Sequence, residues 1–74
     1  MEKDSIIDAN AVAVNLRVAR ARKNMTQSEL AERAGVALST ISFIENGKHM
    51  AVRAPTISKL ASALGVSVES LLQA

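Results

Sequence analysis

Few side chains in this chain of 74 residues could do covalent or acid–base chemistry. There is one histidine, His49, and neither cysteine nor tyrosine. Without a thiol there is no cysteine nucleophile, no disulfide and no thiolate zinc site. His49 stands beside Lys48 with no other metal-ligating residue type near it, and reads as a solvated loop residue. No two acids are spaced as an acid/base couple. An enzyme is not expected, and no cofactor, metal or small-molecule ligand is implied. What remains is binding chemistry, concentrated in STISFIENG, residues 39–47. That stretch holds the hydroxyls of Ser39, Thr40 and Ser42, the carboxamide of Asn46 and the only aromatic ring of the chain, Phe43.

The cations sit around that stretch. Residues 1–9 carry Glu2, Asp4 and Asp8 against Lys3, and residues 60–74 carry only Glu69. Residues 10–59 hold eight lysines and arginines against three glutamates. The overall +2 therefore conceals a middle of +5, which suits a polyanion on one face as well as an ordinary solvated surface. No apolar run approaches the ~18 residues of a membrane span. The acidic start, MEKDSIIDAN, is unlike the basic region that opens a signal peptide. A cytoplasmic protein is expected, with residues 1–9 as an N-terminal tail and 10–74 as one small domain.

The elements that must position these groups are helices. Apolar residues recur at helical spacing, strand signals are absent, and Gly35, Gly47, Pro55 and Gly65 cut the chain into helix-length pieces. The first helix is expected from Ala9 or Ala11 to Lys23, capped by Asp8 or Asn10, with Val12, Leu16 and Ala19 inward. Val14 and Val18 lie off that stripe. Thr26-Gln27-Ser28-Glu29 fits a capping box for the second helix, which buries Leu30, Ala31 and Ala34 and stops at Gly35. The third is expected from Leu38 to Asn46. A fourth runs from about Thr56 or Ile57 to Leu64, either capped by Thr56 or with Pro55 at its first position. The fifth is capped by Ser67 and runs out near Gln73. The expected class is all-α, a five-helix domain.

Helices two and three make the informative pair. Two short helices joined by a tight glycine turn form a helix-turn-helix. Ala31 gives the second helix room to cross, Val36 plugs the core after the turn, and Ile41 and Ile44 anchor the third helix from below. The stretch TQSELAERAGVALSTISFIENG resembles the Cro/C1-type helix-turn-helix family of phage repressors and bacterial regulators. LRVARARKNMTQ is similar to that family's first helix, and KLASALGVSVESLL to its last two, so the resemblance covers about residues 10–72.

The resemblance implies roles. Arg20 and Glu45 match an internal ion pair, a structural role. Gln27, at the start of the second helix, matches a phosphate contact, as the N–H groups and positive dipole of a helix start would favour. Thr26 belongs with it. Asn46 and Lys48 fall where the family touches the DNA backbone after the third helix, and Arg53 is a further candidate. Leu38, Ser39, Thr40, Ser42 and Phe43 fall on or beside the face presented to the major groove. With Ile41 and Ile44 inward, rotation of about 100° per residue points Phe43 outward. A thymine methyl is then its expected contact. The competing expectation is a ring folded over the first helix or hidden in a protein contact.

Two departures stand out. Ala37 replaces the serine or threonine expected to cap the third helix, and the reading face has no Arg, Lys, Asn or Gln for bidentate base contacts. Specificity is expected to rest more on methyl packing and DNA shape. The implied function is a sequence-specific transcriptional regulator, a repressor or controller, binding double-stranded DNA at a palindromic operator as a homodimer. Val68, Leu72, Met50 and Val52 are the candidate dimer surface. The length leaves no room in this chain for a ligand-sensing or proteolytic domain. The alternative is an antitoxin or protein-bridging module that uses Phe43 and the 50–52 loop as a partner surface.

Overall fold

In the computed structural model, which describes residues 8–47 and 52–73, three of the five helices begin at a side-chain cap, and each helix ends at a glycine or an exposed polar residue. They are α1 (Ala9–Arg22), α2 (Gln27–Ala34), α3 (Leu38–Glu45), α4 (Ala54–Leu64) and α5 (Val68–Leu72). No strand occurs among the described residues.

Asp8 caps α1, its carboxylate accepting from the N–H of Asn10 at 3.0 Å and of Ala11 at 3.3 Å. The helix therefore takes the earlier of its two expected starts, Ala9, with Asp8 as the cap. The capping box of α2 is complete. Thr26 Oγ1 accepts from the Glu29 N–H at 3.0 Å, and Glu29 Oε1 accepts from the Thr26 N–H at 2.8 Å. Gly35 ends α2 in the left-handed conformation at φ 71°, where a side chain would be strained. Ser67 caps α5 through the Ser70 N–H at 3.1 Å. The expectation for α4 is corrected: it starts at Ala54 with Arg53 at the cap position, so Pro55 is second and Thr56 lies within the helix. The first turn has no intrahelical acceptors for its N–H groups, so proline is tolerated there without losing a bond.

Packing runs as a closed ring. α1 lies against α3 and α5, α3 against α2, α2 against α4, and α4 against α5. Each helix feeds one shared core: Val12 and Leu16 from α1, Leu30 and Ala31 from α2, Ile41 and Ile44 from α3, Ile57, Leu60, Ala61 and Leu64 from α4, and Leu71 from α5. Ala19, Ala34 and Val36 pack at its edge. α5 has only five residues and would be marginal alone. Leu71 anchors it in the core. Asn15 Nδ2 donates to the carbonyls of Leu71 at 2.9 Å and Gln73 at 2.6 Å, satisfying acceptors that the end of a helix otherwise leaves orphaned.

Val14 and Val18 point away from this core, and Val18 is 44% exposed. The contrast with Leu60, which is fully buried, gives a stability prediction. Leu60→Ala should lower the unfolding free energy by about 2–5 kcal/mol, through lost transfer energy plus a cavity. Val18→Ala should stay within about 0.5 kcal/mol of the parent. Urea denaturation followed by circular dichroism measures both.

Candidate nucleic-acid interface

The site is built on a buried charge. Glu45, the last residue of α3, is only 3% exposed. Its Oε2 accepts from Arg20 Nε at 2.7 Å and its Oε1 from Arg20 Nη2 at 2.9 Å, a two-pronged pairing of guanidinium and carboxylate. Gln27 Nε2 donates to the same Oε1 at 3.0 Å. Arg20 Nη1 reaches the Met25 carbonyl at 2.8 Å, and Arg17 Nη1 donates to the backbone carbonyl of Glu45. The C-terminal end of α3 is thereby tied to α1 and to the N-terminal turn of α2.

Burial is the largest single influence on the Glu45 carboxyl and pushes its pKa up. The hydrogen bonds from Arg20 and Gln27 and the charges of Arg20 and Arg17 outweigh it, so the group is held below the ordinary carboxylate range. The hydrogen bond to Glu45 in turn raises the Arg20 guanidinium, against a smaller opposing effect of burial.

With α3 fixed from below by Ile41 and Ile44, its outer face is set. Phe43 is 47% exposed and Leu38 46%, and Ser39 and Asn46 are also exposed. Thr40 and Ser42 are half-buried, so they present less of themselves than their positions on the helix suggested. Ser39, Ser42, Phe43 and Asn46 follow one another at i, i+3, i+4 and i+7 and line one open recess of about 280 Å³. Asn46, grouped in the sequence with phosphate contacts, therefore shares the face with the groups expected to meet bases. The absence of a carboxamide from that face does not hold once Asn46 is included. Ala37 offers no side-chain cap to α3.

Among the residues expected at phosphates, Thr26 and Arg53 are exposed and Gln27 is half-buried. Gln27 has a role that the sequence did not disclose, since part of its amide is committed to Glu45. Lys48 and Met50, from the phosphate and dimer sets, lie outside the described residues, as does His49. Val52, Val68 and Leu72 are half-buried against the core. Any contact with a second chain would use what remains of their surfaces.

Arg17 and Asn15 were missed. Arg17 carried a legible signal, because it lies one turn before Arg20 on the same side of α1. Asn15 carried none, as its acceptors are 56 and 58 residues away. A second recess of about 310 Å³, between α1 and α5, contains no residue of α2 or α3. Among the described residues no group of three acids or histidines could hold a metal ion. No helix there is long and apolar enough to cross a membrane.

The helix-turn-helix family profile matches residues 16–71. The chain is 32% identical over 63 residues to an uncharacterised HTH-type transcriptional regulator, YozG, of Bacillus subtilis, spanning 85% of this chain and 75% of that one. It covers less than half of two other curated relatives, 42% and 25% of their lengths. The restriction-modification controller protein C.AhdI from Aeromonas hydrophila superposes with a TM-score of 0.80 at 31% identity, over 86% of this chain and 96% of that one. The biofilm master regulator SinR, of Bacillus subtilis, solved in complex with DNA, also gives 0.80, at 35% identity over 84% and 98%.

The Glu45 cluster yields an acid-stability prediction. A carboxyl whose pKa is lower folded than unfolded contributes stability that is fully present above its unfolded value, about 4.3 for glutamate. That contribution is lost as the pH falls through the folded value. The melting temperature should therefore drop as the pH is lowered below about 4.3. Glu45→Gln, less stable at neutral pH, should show a smaller drop over the same range. Glu45→Ala should cost about 2–3 kcal/mol, at or below the low end for a broken buried pair, because the Arg20 side chain is 21% exposed. Calorimetry across pH 2.5–7 tests both, on the order of the pKa values involved.

Proposed function

The chain belongs to the Cro/C1-type helix-turn-helix family, whose members are DNA-binding transcriptional regulators rather than enzymes, and on that premise we propose a more specific role for it. It acts as a small repressor or controller that binds a palindromic operator as a homodimer, with α3 in the major groove. The observation that carries this reading is the arrangement of α2 and α3. The N-terminal turn of α2 is tied through Gln27 to the buried end of α3, while the outer stripe of α3 is exposed. A helix start suits a phosphate, and an exposed helix face suits base edges.

Within this reading Thr26, Gln27 and Arg53, with Lys48, anchor the DNA backbone. Leu38, Ser39, Thr40, Ser42 and Phe43 face the bases, with Asn46 at the junction of the two sets. Pairing of two chains through α5 and the loop before α4 doubles the site read. Cytoplasmic location follows from DNA as the ligand. A second reading, a module that bridges to a protein partner, has its own support in the exposed Leu38 and Phe43 and in the solved complex of SinR with SinI.

The test starts from a duplex enriched out of a random-sequence library by the full chain. Footprinting should show two half-sites with centres about 34 Å apart, or a multiple of that repeat, and ultracentrifugation should show a dimer. Arg53→Ala should weaken binding to all sequences alike and reduce the slope of log K against log salt by about one. A monomer protecting one asymmetric half-site would overturn the homodimer. A changed sequence preference with an unaltered slope would make Arg53 a base reader. For the second reading, Phe43→Ala should abolish a protein partnership while leaving DNA affinity per monomer intact.

A further inference from the structure

The recess on α3 has an unusual lining. One wall is the Phe43 ring, which is nearly half exposed and carries no hydrogen-bonding group. The others come from Ser39, Ser42 and Asn46, whose side chains carry two hydroxyls and a carboxamide. In the major groove, a base edge offers one apolar group, the methyl at C5 of a pyrimidine. Thymine places that methyl beside O4, an acceptor, whereas cytosine has the N4 amino donor beside its C5. A serine hydroxyl both donates and accepts, so Ser39 and Ser42 suit O4 and N4 alike. Arginine, which only donates, or glutamate, which only accepts, would tell the two apart, and neither lines the recess.

Such a surface responds to the methyl and tolerates the exchange of O4 for N4. We propose that the Phe43 recess is a sensor of the pyrimidine C5 methyl, accepting 5-methylcytosine in place of thymine at the same operator position. Methylation of a cytosine there converts a weak site into a strong one. The inference rests on the reading that α3 enters the major groove.

The first arm changes only the DNA, so its outcome does not depend on a variant that folds. The probe is the enriched duplex described above, synthesised with single base-pair replacements, guanine standing opposite each cytosine or 5-methylcytosine and adenine opposite each uracil. At one thymine in each half-site, uracil should weaken binding about three- to tenfold, the size expected when one methyl group loses its apolar contact. Cytosine at that position should bind at least as weakly as uracil. 5-Methylcytosine should restore affinity to within about twofold of thymine. In Phe43→Ala, checked for an unchanged melting temperature, the thymine, uracil and 5-methylcytosine duplexes should bind alike.

If the chain selects and protects a defined sequence but no thymine responds to uracil, the methyl sensor is wrong and the groove reading stands. If uracil weakens binding and 5-methylcytosine fails to restore it, the recess reads thymine by more than its methyl, and the proposal is overturned. If Phe43→Ala keeps the full difference between thymine and uracil, the methyl is read elsewhere. If no sequence is enriched at all, the proposed function falls first and the inference with it.

Discussion

The Glu45 carboxylate is the constraint on which the rest of the interface depends. It is almost fully buried, and a charge in that position persists only if its oxygens are paired. Two arms of Arg20 and one of Gln27 pair them. Those partners come from α1 and from the first residue of α2, so satisfying one carboxylate fixes three helices relative to one another. The apolar core cannot do this alone. Hydrophobic contact is non-directional, and a helix held only by Ile41 and Ile44 could slide or roll with little change in buried area. The two-pronged contact with Arg20 restricts that freedom.

The consequence reaches the surface through Gln27. Its side chain joins the buried carboxylate, while its backbone forms the first turn of α2, whose leading N–H groups have no intrahelical acceptor. The separation between that turn and the outer stripe of α3 is thus set from inside the protein. Phosphates along a duplex recur at fixed spacing, so a phosphate anchor and a reading helix are useful together only when their separation is equally fixed. Arg17 reinforces the arrangement by taking the Glu45 carbonyl, one of the acceptors that a helix end leaves open.

The outer stripe follows a different logic. Its groups are small hydroxyls, one ring and one carboxamide, with none of the long cationic side chains that make strong bidentate contacts to guanine. Such a face contributes shape and apolar contact more than charge. The basic residues lie elsewhere in the middle of the chain, which on the proposed reading would separate a sequence-independent attraction to DNA from discrimination by α3. Leu38 and Phe43 are the cost of this choice, because both leave apolar surface in water when no ligand covers them.

Much of this was legible in the amino-acid order. Capping at Thr26 and Ser67, the stop at Gly35, the inward pairs Val12–Leu16 and Ile41–Ile44, and the outward direction of Phe43 all follow from short-range rules. Helical period and cap chemistry act within a few residues, and a sequence displays them directly. The resemblance of the first three helices to a known family supplied the Arg20–Glu45 pair. The start of α4 was misjudged because Ala54, Pro55 and Thr56 are each compatible with a first helical turn, and local rules do not rank them.

What only the tertiary structure decided lies at long separations. The grip of Asn15 on α5, the commitment of Gln27 to Glu45, and the place of Asn46 within the recess depend on helices meeting at particular angles. The same holds for the half-burial of Thr40, Ser42, Val68 and Leu72. Side-chain period tells which face of a helix turns inward, but the depth of each residue depends on what packs beside it. The sequence by itself determined which helices form and which way they face. Only the closed ring of packing determined which polar groups meet, because a hydrogen bond requires atoms from distant positions to arrive within about 3 Å of each other.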